Sequence, residues 1–305
     1  MNLQVHLGNL TLSNPVILAS GTAGYGREIA PYLDLDRIGA LTLKGISSTP
    51  WVGNPPPRIH ETYAGIMNSI GLENKGFDRF LREDLPFLEN FQTRIIANIW
   101  GKTIEEYSDI AKKMNGLERI DAIEVNVSCP NIEQGGESFS CNSQILCQLI
   151  QNLRQKIQKP LIFKLGPNTD NLDNVLLFME KEGVDILSIT NTYPALAVDV
   201  ENQSFIFSRK TAGLSGPAIK PLALKLVYDV IQKTRLPIIG MGGIMKAEDA
   251  LEYLLIGAQA VALGSVNLVD PSAAVQIIDG IEAYLIQKNI FDINDLIGKV
   301  REVWR

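Results

Sequence analysis

Polar side chains close several short apolar runs of this 305-residue chain. Two are lysines, Lys44 at the end of ALTLK and Lys164 at the end of LIFK, and three are the asparagines Asn98, Asn126 and Asn191. A lysine that ends an apolar run is costly to bury unpaired, although it can also snorkel to solvent. Two lysines and three asparagines that meet on one face instead indicate a pocket for an anionic ligand.

Two glycine motifs follow the last two apolar runs, Gly240-Met241-Gly242-Gly243 and Gly264-Ser265. Glycine lets the backbone approach a ligand closely, and the N–H groups that follow can cradle a phosphate. Either motif alone could be an ordinary turn. Together they predict a phosphate site, and the phosphate could belong to a substrate or to FMN.

Cys129 lies in NVSCPN (126–131), directly after the fourth apolar run. A lone cysteine is commonly a buried, inert thiol. This one opens a glycine-containing loop at the expected ligand face, where a thiol can act as a base or nucleophile once deprotonated. With an unperturbed pKa of about 8.5, only a few per cent of it is thiolate at pH 7.

Other residues suited to metal or redox chemistry are few. Cys141 and Cys147 are predicted to pack on or near a helix, and no two of the three cysteines have C-x-x-C spacing. His6 and His60 are the only histidines. The sequence therefore predicts neither a metal site nor a Ser/His/Asp triad.

Eight short runs rich in Val, Ile and Leu must position these residues. They are PVILAS (15–20), GALTLKG (39–45), RIIANI (94–99), DAIEVNVS (121–128), PLIFKLG (160–166), DILSITN (185–191), LPIIGMGG (236–243) and QAVALGS (259–265). Continuous apolar runs of this length are typical of parallel strands covered on both faces, and helical patterns separate most of them. An α/β fold of the (β/α)8 TIM-barrel class is predicted. The alternative, a doubly wound open sheet, lacks its G-x-G-x-x-G fingerprint after the first strand.

The connections also carry information. LQVHL and LTLS flank Gly8-Asn9 and predict an N-terminal β-hairpin, and a last helix is predicted to open at Asp270-Pro271. Long connections at 44–76, 128–142 and 191–217 follow the second, fourth and sixth runs. In a barrel all three lie at the C-terminal face, where active sites are built. No composition shift marks a boundary, so residues 1–305 are interpreted as one domain.

Composition excludes several classes of protein. With 28 Lys+Arg against 34 Asp+Glu, the net charge is −6, and no basic block favours a nucleic-acid backbone. No signal peptide is evident, and the most apolar stretch, 250–269, is interpreted as a helix, a turn and a buried strand rather than a membrane span. Free thiols fit a reducing compartment. The expectation is a cytoplasmic protein.

The motifs of the chain resemble those of dihydroorotate dehydrogenase nearly from end to end. They are LKGIS (43–47), GNPPPRIHET (53–62), GIMNSIGLENKG (65–76), NIWGKT (98–103), VNVSCPN (125–131), FKLGPN (163–168), SITNT (188–192), GLSGPAIKP (213–221), GMGGI (240–244) and ALGS (262–265). The cysteine in SCPN resembles that of class 1 enzymes, because class 2 enzymes have serine at this position. The GIMNSIGL and NVSCPN segments most resemble those of the class 1B catalytic subunit.

The resemblance implies an FMN-dependent oxidation of dihydroorotate to orotate in the synthesis of pyrimidines (UMP). It assigns FMN to Ser20, Lys44, Gly45, Asn98, Asn126, Lys164, Thr190, Gly216, Gly242, Gly243, Gly264 and Ser265. It assigns the substrate to Lys44, Asn68, Ser69, Ile70, Gly71, Leu72, Asn126, Asn191 and Thr192. Cys129 would take the C5 proton while hydride passes to the flavin, Lys164 would face the flavin N1–C2=O edge, and Lys44 would bind the orotate carboxylate. Thr190 departs from the apolar residue that related chains often carry.

The resemblance also implies partners. Class 1B enzymes pass electrons to NAD+ through a second subunit that carries FAD and a [2Fe–2S] cluster, which predicts a homodimer within a heterotetramer. This chain has neither the four thiolates for such a cluster nor a dinucleotide fingerprint. That agrees equally with a class 1A enzyme that reduces fumarate. Two further alternatives are a dihydropyrimidine-dehydrogenase-like flavoenzyme acting on a neutral ring and a non-catalytic barrel that binds a phosphate ligand.

Overall fold

A computed structural model describes residues 1–127 and 143–301. In chain order its strands are β1 (Val5–Leu7), β2 (Leu10–Leu12), β3 (Val16–Leu18), β4 (Ala40–Thr42), β5 (Ile59–Thr62), β6 (Gly65–Asn68), β7 (Arg94–Ile99), β8 (Ala122–Asn126), β9 (Leu161–Leu165), β10 (Ile186–Ile189), β11 (Tyr193–Leu196), β12 (Val198–Asp199), β13 (Ser204–Phe205), β14 (Thr211–Ser215), β15 (Ile238–Met241) and β16 (Ala260–Leu263). Its α-helices are α1 (Phe77–Glu83), α2 (Leu85–Leu88), α3 (Ile104–Asn115), α4 (Ser143–Arg154), α5 (Leu172–Lys181), α6 (Lys220–Ile231), α7 (Ala247–Ile256), α8 (Val266–Val269) and α9 (Ala273–Lys288).

Eight parallel strands close into a barrel in the order β3-β4-β7-β8-β9-β10-β15-β16. Each lies within one of the eight apolar runs, so the predicted (β/α)8 fold is confirmed. The strands are short and buried on both faces; every residue of β9, for example, is inaccessible or nearly so. The barrel interior forms one side of the core, and the surrounding helices bury the other.

The predicted N-terminal hairpin is also confirmed. β1 and β2 pair antiparallel with Val5 opposite Leu12, and the apolar side chains of both strands are buried. Arg94 Nε, at the first residue of β7, donates to Thr11 O at 3.3 Å. The hairpin therefore lies at the N-terminal end of the barrel, away from the face expected to carry the site.

Two of the long connections fold together at the C-terminal face. β5 and β6 from the first and β11 and β14 from the third form a four-stranded antiparallel sheet in the order β11-β14-β6-β5. A small second core around Met67, Phe207 and Ala212 supports this sheet. The long connections were predicted, but the sheet was not. The remaining long connection, 128–142, lies outside the described residues.

The expectation for the last helix was wrong in its boundary. α9 begins at Ala273 with Ser272 as its N-cap residue. The Asp270 carboxylate accepts hydrogen bonds from the Ser272 N–H at 2.9 Å and hydroxyl at 2.6 Å, so Asp270-Pro271 forms the turn between α8 and α9 instead of the first helical turn.

The stretch 250–269 contains most of α7, a turn, β16 and the short α8, as interpreted from the sequence apart from α8. Among the helices of the described ranges, none combines the length and apolarity needed to cross a membrane.

Candidate active site

Lys164 reaches across the barrel mouth. It ends β9, and its Nζ donates to the Ser20 hydroxyl at 3.2 Å, just beyond β3 on the opposite side of the ring. The lysine residue is only 5% exposed, and no described carboxylate lies within ion-pair distance of it. Ser188, beside Lys164 in the strand register, has a buried hydroxyl without a partner among the described residues. A buried ammonium with so little compensation suits an electron-rich ligand above it.

Asn98 is held by a carboxylate that was not predicted to belong to the site, that of Glu124. Its Nδ2 donates to Oε1 of Glu124 at 2.6 Å, and both side chains are buried between β7 and β8. This bond fixes the orientation of the amide and leaves Asn98 Oδ1 beside Gly45, where an added Cβ would lie 2.9 Å from that oxygen. A side chain at position 45 would therefore crowd the amide oxygen of Asn98.

The glycines after β15 and β14 come together. Gly242 and Gly243 have φ of +133° and +69°, and Gly216 has φ of +97°. An added Cβ at Gly243 would lie 2.9 Å from the carbonyl oxygen of Gly216, and one at Gly242 would lie 2.5 Å from Ala223 Cβ. Only glycine fits these positions without strain, so the backbone itself forms this wall of the mouth.

Gly264, unlike these three glycines, has open space where a side chain would lie. It follows β16, the neighbour of β15, and an added Cβ there would meet nothing within 4 Å. Within the described part of the chain, the N–H groups of Gly243, Gly264 and Ser265 donate to no other backbone group. Open space beside unused N–H donors is what a phosphate group requires. The residues present therefore fit the phosphate of FMN.

Tyr253 and Asp249 support the loop that follows β15 and contains Gly242 and Gly243. The buried Tyr253 hydroxyl donates to Gly242 O at 2.8 Å, and burial raises the pKa of the phenol, which keeps the donor proton in place. Asp249 Oδ2 accepts from Met245 N at 2.9 Å and Lys246 N at 3.2 Å. Both residues lie on α7, so that helix positions the loop that follows β15.

We expect Gly264→Ala to fold normally but to bind FMN more weakly. The added methyl group enters open space and needs no positive φ, so the melting temperature should change by no more than about 2 °C. The same methyl group would obstruct the phosphate and cost about one charge-assisted hydrogen bond, which corresponds to a tenfold or larger loss of affinity. Fluorescence titration of apoprotein with FMN measures this. Gly116→Ala, at the end of α3, is the control, and unchanged FMN affinity in Gly264→Ala would remove this loop from the phosphate site.

The residues assigned to the substrate fall into two groups that face the same mouth. Asn191 Nδ2 donates to Asn126 Oδ1 at 3.4 Å, which joins the ends of β8 and β10. Asn68 Nδ2, at the end of β6, donates to Gly213 O at 3.4 Å, and an added Cβ at Gly213 would collide with Thr192. The four-stranded sheet therefore brings Asn68 and Thr192 to the strand ends that carry the asparagines.

The segment after β6 is fixed largely through its backbone. Asn54 Nδ2 donates to both the carbonyl and the hydroxyl oxygen of Ser69, Ile70 O accepts from Asn54 N at 3.0 Å, and Gly71 O accepts from Trp51 Nε1 at 3.0 Å. Gly71 and Leu72 both have positive φ, so the chain turns sharply here. The turn directs the next residue, Glu73, toward Lys44.

Lys44 and Glu73 form an ion pair at the mouth, with 2.5 Å between Nζ and Oε2. The lysine was expected to face a ligand carboxylate, and in the structure it faces a carboxylate of the chain. Glu73 was missed, although it lies within the GIMNSIGLENKG motif and is the only acidic residue there.

The other assigned residues have simple placements. Thr190 is buried after β10, its N–H donates to Met241 O at 3.3 Å and its hydroxyl to Asn191 O at 3.1 Å. Asn126 O accepts from the buried Tyr107 hydroxyl at 2.7 Å. Cys129, assigned as the base, lies outside the described residues, as does Cys141.

The fold and this mouth define an α/β-barrel with a glycine-rich loop that fits a phosphate group and with two lysines at its mouth. The chain belongs to the dihydroorotate dehydrogenase family, because residues 2–285 match the model of that family. A curated relative from Thermoanaerobacter sp., named dihydroorotate dehydrogenase B (NAD(+)), catalytic subunit, is 44% identical over 301 residues, with 99% of each chain covered.

Two further relatives bear the same name. The protein of Thermodesulfovibrio yellowstonii is 45% identical, with 98% of this chain and 99% of the relative covered, and that of Geotalea uraniireducens is 46% identical with 97% of each covered. Among solved structures, a DHODH from Eimeria tenella in complex with ferulenol has a TM-score of 0.78 at 23% identity, covering 98% of this chain and 88% of that one. At that identity the solved structure supports the fold alone.

Proposed function

We propose that this chain is the FMN-dependent catalytic subunit of an NAD+-linked dihydroorotate dehydrogenase, which oxidises dihydroorotate to orotate in de novo pyrimidine synthesis. The shared name of near-full-length relatives supports the substrate and the NAD+ linkage. The family and the fold favour one FMN-binding barrel domain over residues 1–305. The fumarate-reducing and dihydropyrimidine-dehydrogenase-like alternatives are not favoured.

The observation that carries the proposal is the buried Lys164 at the centre of the barrel mouth. When bound, FMN supplies the acceptor for the hydride that leaves dihydroorotate. The ammonium of Lys164 is then a fixed positive charge that stabilises negative charge on the cofactor ring. Ser20 and the strand register hold it in place, so little reorganisation is needed during the reaction.

The substrate groups have complementary roles. Lys44 binds the carboxylate of dihydroorotate, and the amides of Asn68, Asn126 and Asn191 bind the ring amides. Cys129 takes the proton from C5 as general base. The glycine wall and the loop after β16 hold the phosphate.

Electron transfer beyond the flavin requires a partner. The chain has three cysteines, one of them assigned to catalysis, and a [2Fe–2S] cluster usually needs four thiolates. We therefore assign FAD and the [2Fe–2S] cluster to a second subunit, in a heterotetramer built on a homodimer of this chain. A cytoplasmic location fits a chain with only three cysteines, none of them in C-x-x-C spacing.

The isolated chain is expected to carry FMN. With dihydroorotate as electron donor, it should reduce artificial dyes but should not reduce NAD+. NAD+ reduction should appear when an iron–sulfur flavoprotein subunit from the same organism is added, because that subunit completes the electron path. Steady-state assays with dye, NAD+ and fumarate measure this. Rapid NAD+ reduction by the isolated chain would refute the need for a partner, and efficient fumarate reduction would assign the enzyme to class 1A.

A further inference from the structure

The Lys44–Glu73 ion pair has a consequence for substrate binding. We propose that Glu73 is a specificity-determining residue that occupies Lys44 in the free site and competes with the substrate carboxylate for its ammonium. This rests on the proposed function, in which Lys44 binds that carboxylate. The two side chains are 25% and 40% exposed, so an incoming ligand can reach the pair.

The lysine side of the pair is fixed by the barrel. The Lys44 N–H donates to Gly24 O at 2.8 Å, and two residues later Ile46 N donates to Asn98 O at 2.9 Å. The backbone around Lys44 thus continues the sheet beyond β4. Its side chain extends from a rigid edge toward the mouth.

The glutamate side is fixed by the buried Asn74. Its Nδ2 donates to Ser47 Oγ at 2.9 Å and to Leu72 O at 3.0 Å, while its Oδ1 accepts from Gly76 N at 2.9 Å. These bonds tie the residues on both sides of Glu73 to the segment that follows Lys44. The backbone of Glu73 is therefore held close to Lys44.

Packing and charge restrict Glu73 further. Gly53, with φ of +71°, lies so close that an added Cβ would be 2.8 Å from Glu73 Cβ. The neighbouring Lys75 is engaged by Glu83 at 3.2 Å and Asp84 at 2.9 Å. Among the described residues, Lys44 is the one cation within ion-pair distance of Glu73. Nearby Tyr25 offers no positive charge, and its pKa is raised mainly by burial.

Competition follows from the chemistry of the pair. An arriving substrate carboxylate must displace the Glu73 carboxylate or share the ammonium with it, and two carboxylates a few ångströms apart repel. The penalty falls on anionic ligands and leaves a neutral ring unaffected. Glu73 therefore lowers affinity for both dihydroorotate and orotate, which limits how tightly the product is retained.

Calorimetric titration of the FMN-loaded protein with orotate and with its uncharged methyl ester tests this inference. Glu73→Gln should lower the dissociation constant of orotate by about 3- to 10-fold, which is the scale of one nearby charge in a partly exposed site. It should change the dissociation constant of the ester by less than about twofold. Glu73→Ala should behave alike, because the effect depends on removing the charge. Glu83→Gln is the matched control, since that carboxylate is 43% exposed and pairs with Lys75 instead.

Orotate binding that is unchanged or weaker in both Glu73 variants would overturn the inference, because Glu73 would then be inert or would orient Lys44 for the ligand. An equal gain for orotate and the ester would also overturn it. Failure of the proposed function is a separate result, since in that case the FMN-loaded wild-type protein would not bind orotate at all.

Discussion

Replacing Cys129 by serine is expected to leave FMN bound and to slow flavin reduction by dihydroorotate by about 10²- to 10⁴-fold at neutral pH, the range for loss of a general base. A serine hydroxyl is a far weaker acid than a thiol, so less of the reactive form exists at any pH. The rate of the variant should rise with pH beyond the point where the wild-type rate levels off, because a thiol is ordinarily deprotonated near a pKa of about 8.5, whereas a serine hydroxyl needs a far higher pH. Anaerobic stopped-flow measurement of flavin bleaching across pH gives both rates.

Cys147→Ser is the control for this experiment. Cys147 lies on α4, and burial raises the pKa of its thiol, which disfavours the thiolate form that a base would need. Its replacement should leave the reduction rate within about twofold of wild type. If Cys129→Ser reduced its flavin at the wild-type rate, another group would have to act as the base.

Lys164→Met is expected to weaken FMN binding by about 10- to 100-fold and to lower the reduction potential of the flavin that remains bound. Methionine fills a similar volume inside the barrel, so the fold should persist. The lost interaction is a hydrogen bond to a charged donor, which contributes about 1.5–3 kcal/mol. Since the positive charge stabilises the reduced ring more than the oxidised ring, its removal favours the oxidised form. Titration of apoprotein with FMN and redox titration against dyes measure the two effects.

Lys159→Met is the matched control, because Lys159 lies just before β9, at the end of the strand opposite to Lys164. Lys159 Nζ donates to Ile120 O at 2.5 Å and lies before β9, far from the mouth. Its replacement should change neither FMN affinity nor potential. Wild-type affinity and potential in Lys164→Met would show that the lysine does not contact the cofactor.

The barrel could be predicted from the sequence because its signal is physically strong. Strands covered on both faces consist almost wholly of apolar residues, and eight such runs separated by helical patterns admit few other folds. The four-stranded sheet at the mouth gave no such signal. β5 and β6 are partly exposed, with His60 and Glu61 among their residues, and their pairing with β11 and β14 joins segments far apart in the chain.

The same distinction holds within the site. Lys44 and Lys164 could be identified because a charge that ends an apolar strand is unusual. Glu124 gave a similar signal, a carboxylate inside the run DAIEVNVS, and it proves to hold Asn98. Glu73 and Tyr253 could not be assigned, because their roles depend on the turn after Leu72 and on the packing of α7 against Gly242, and neither contact is local in sequence.

Anaerobic addition of dihydroorotate to the purified chain tests the central claim most directly. The protein is expected to be yellow with bound FMN, and the visible absorbance of the flavin should bleach stoichiometrically as orotate forms. An FMN-loaded protein that keeps its absorbance with excess dihydroorotate, or a folded protein that binds no FMN, would contradict the assignment.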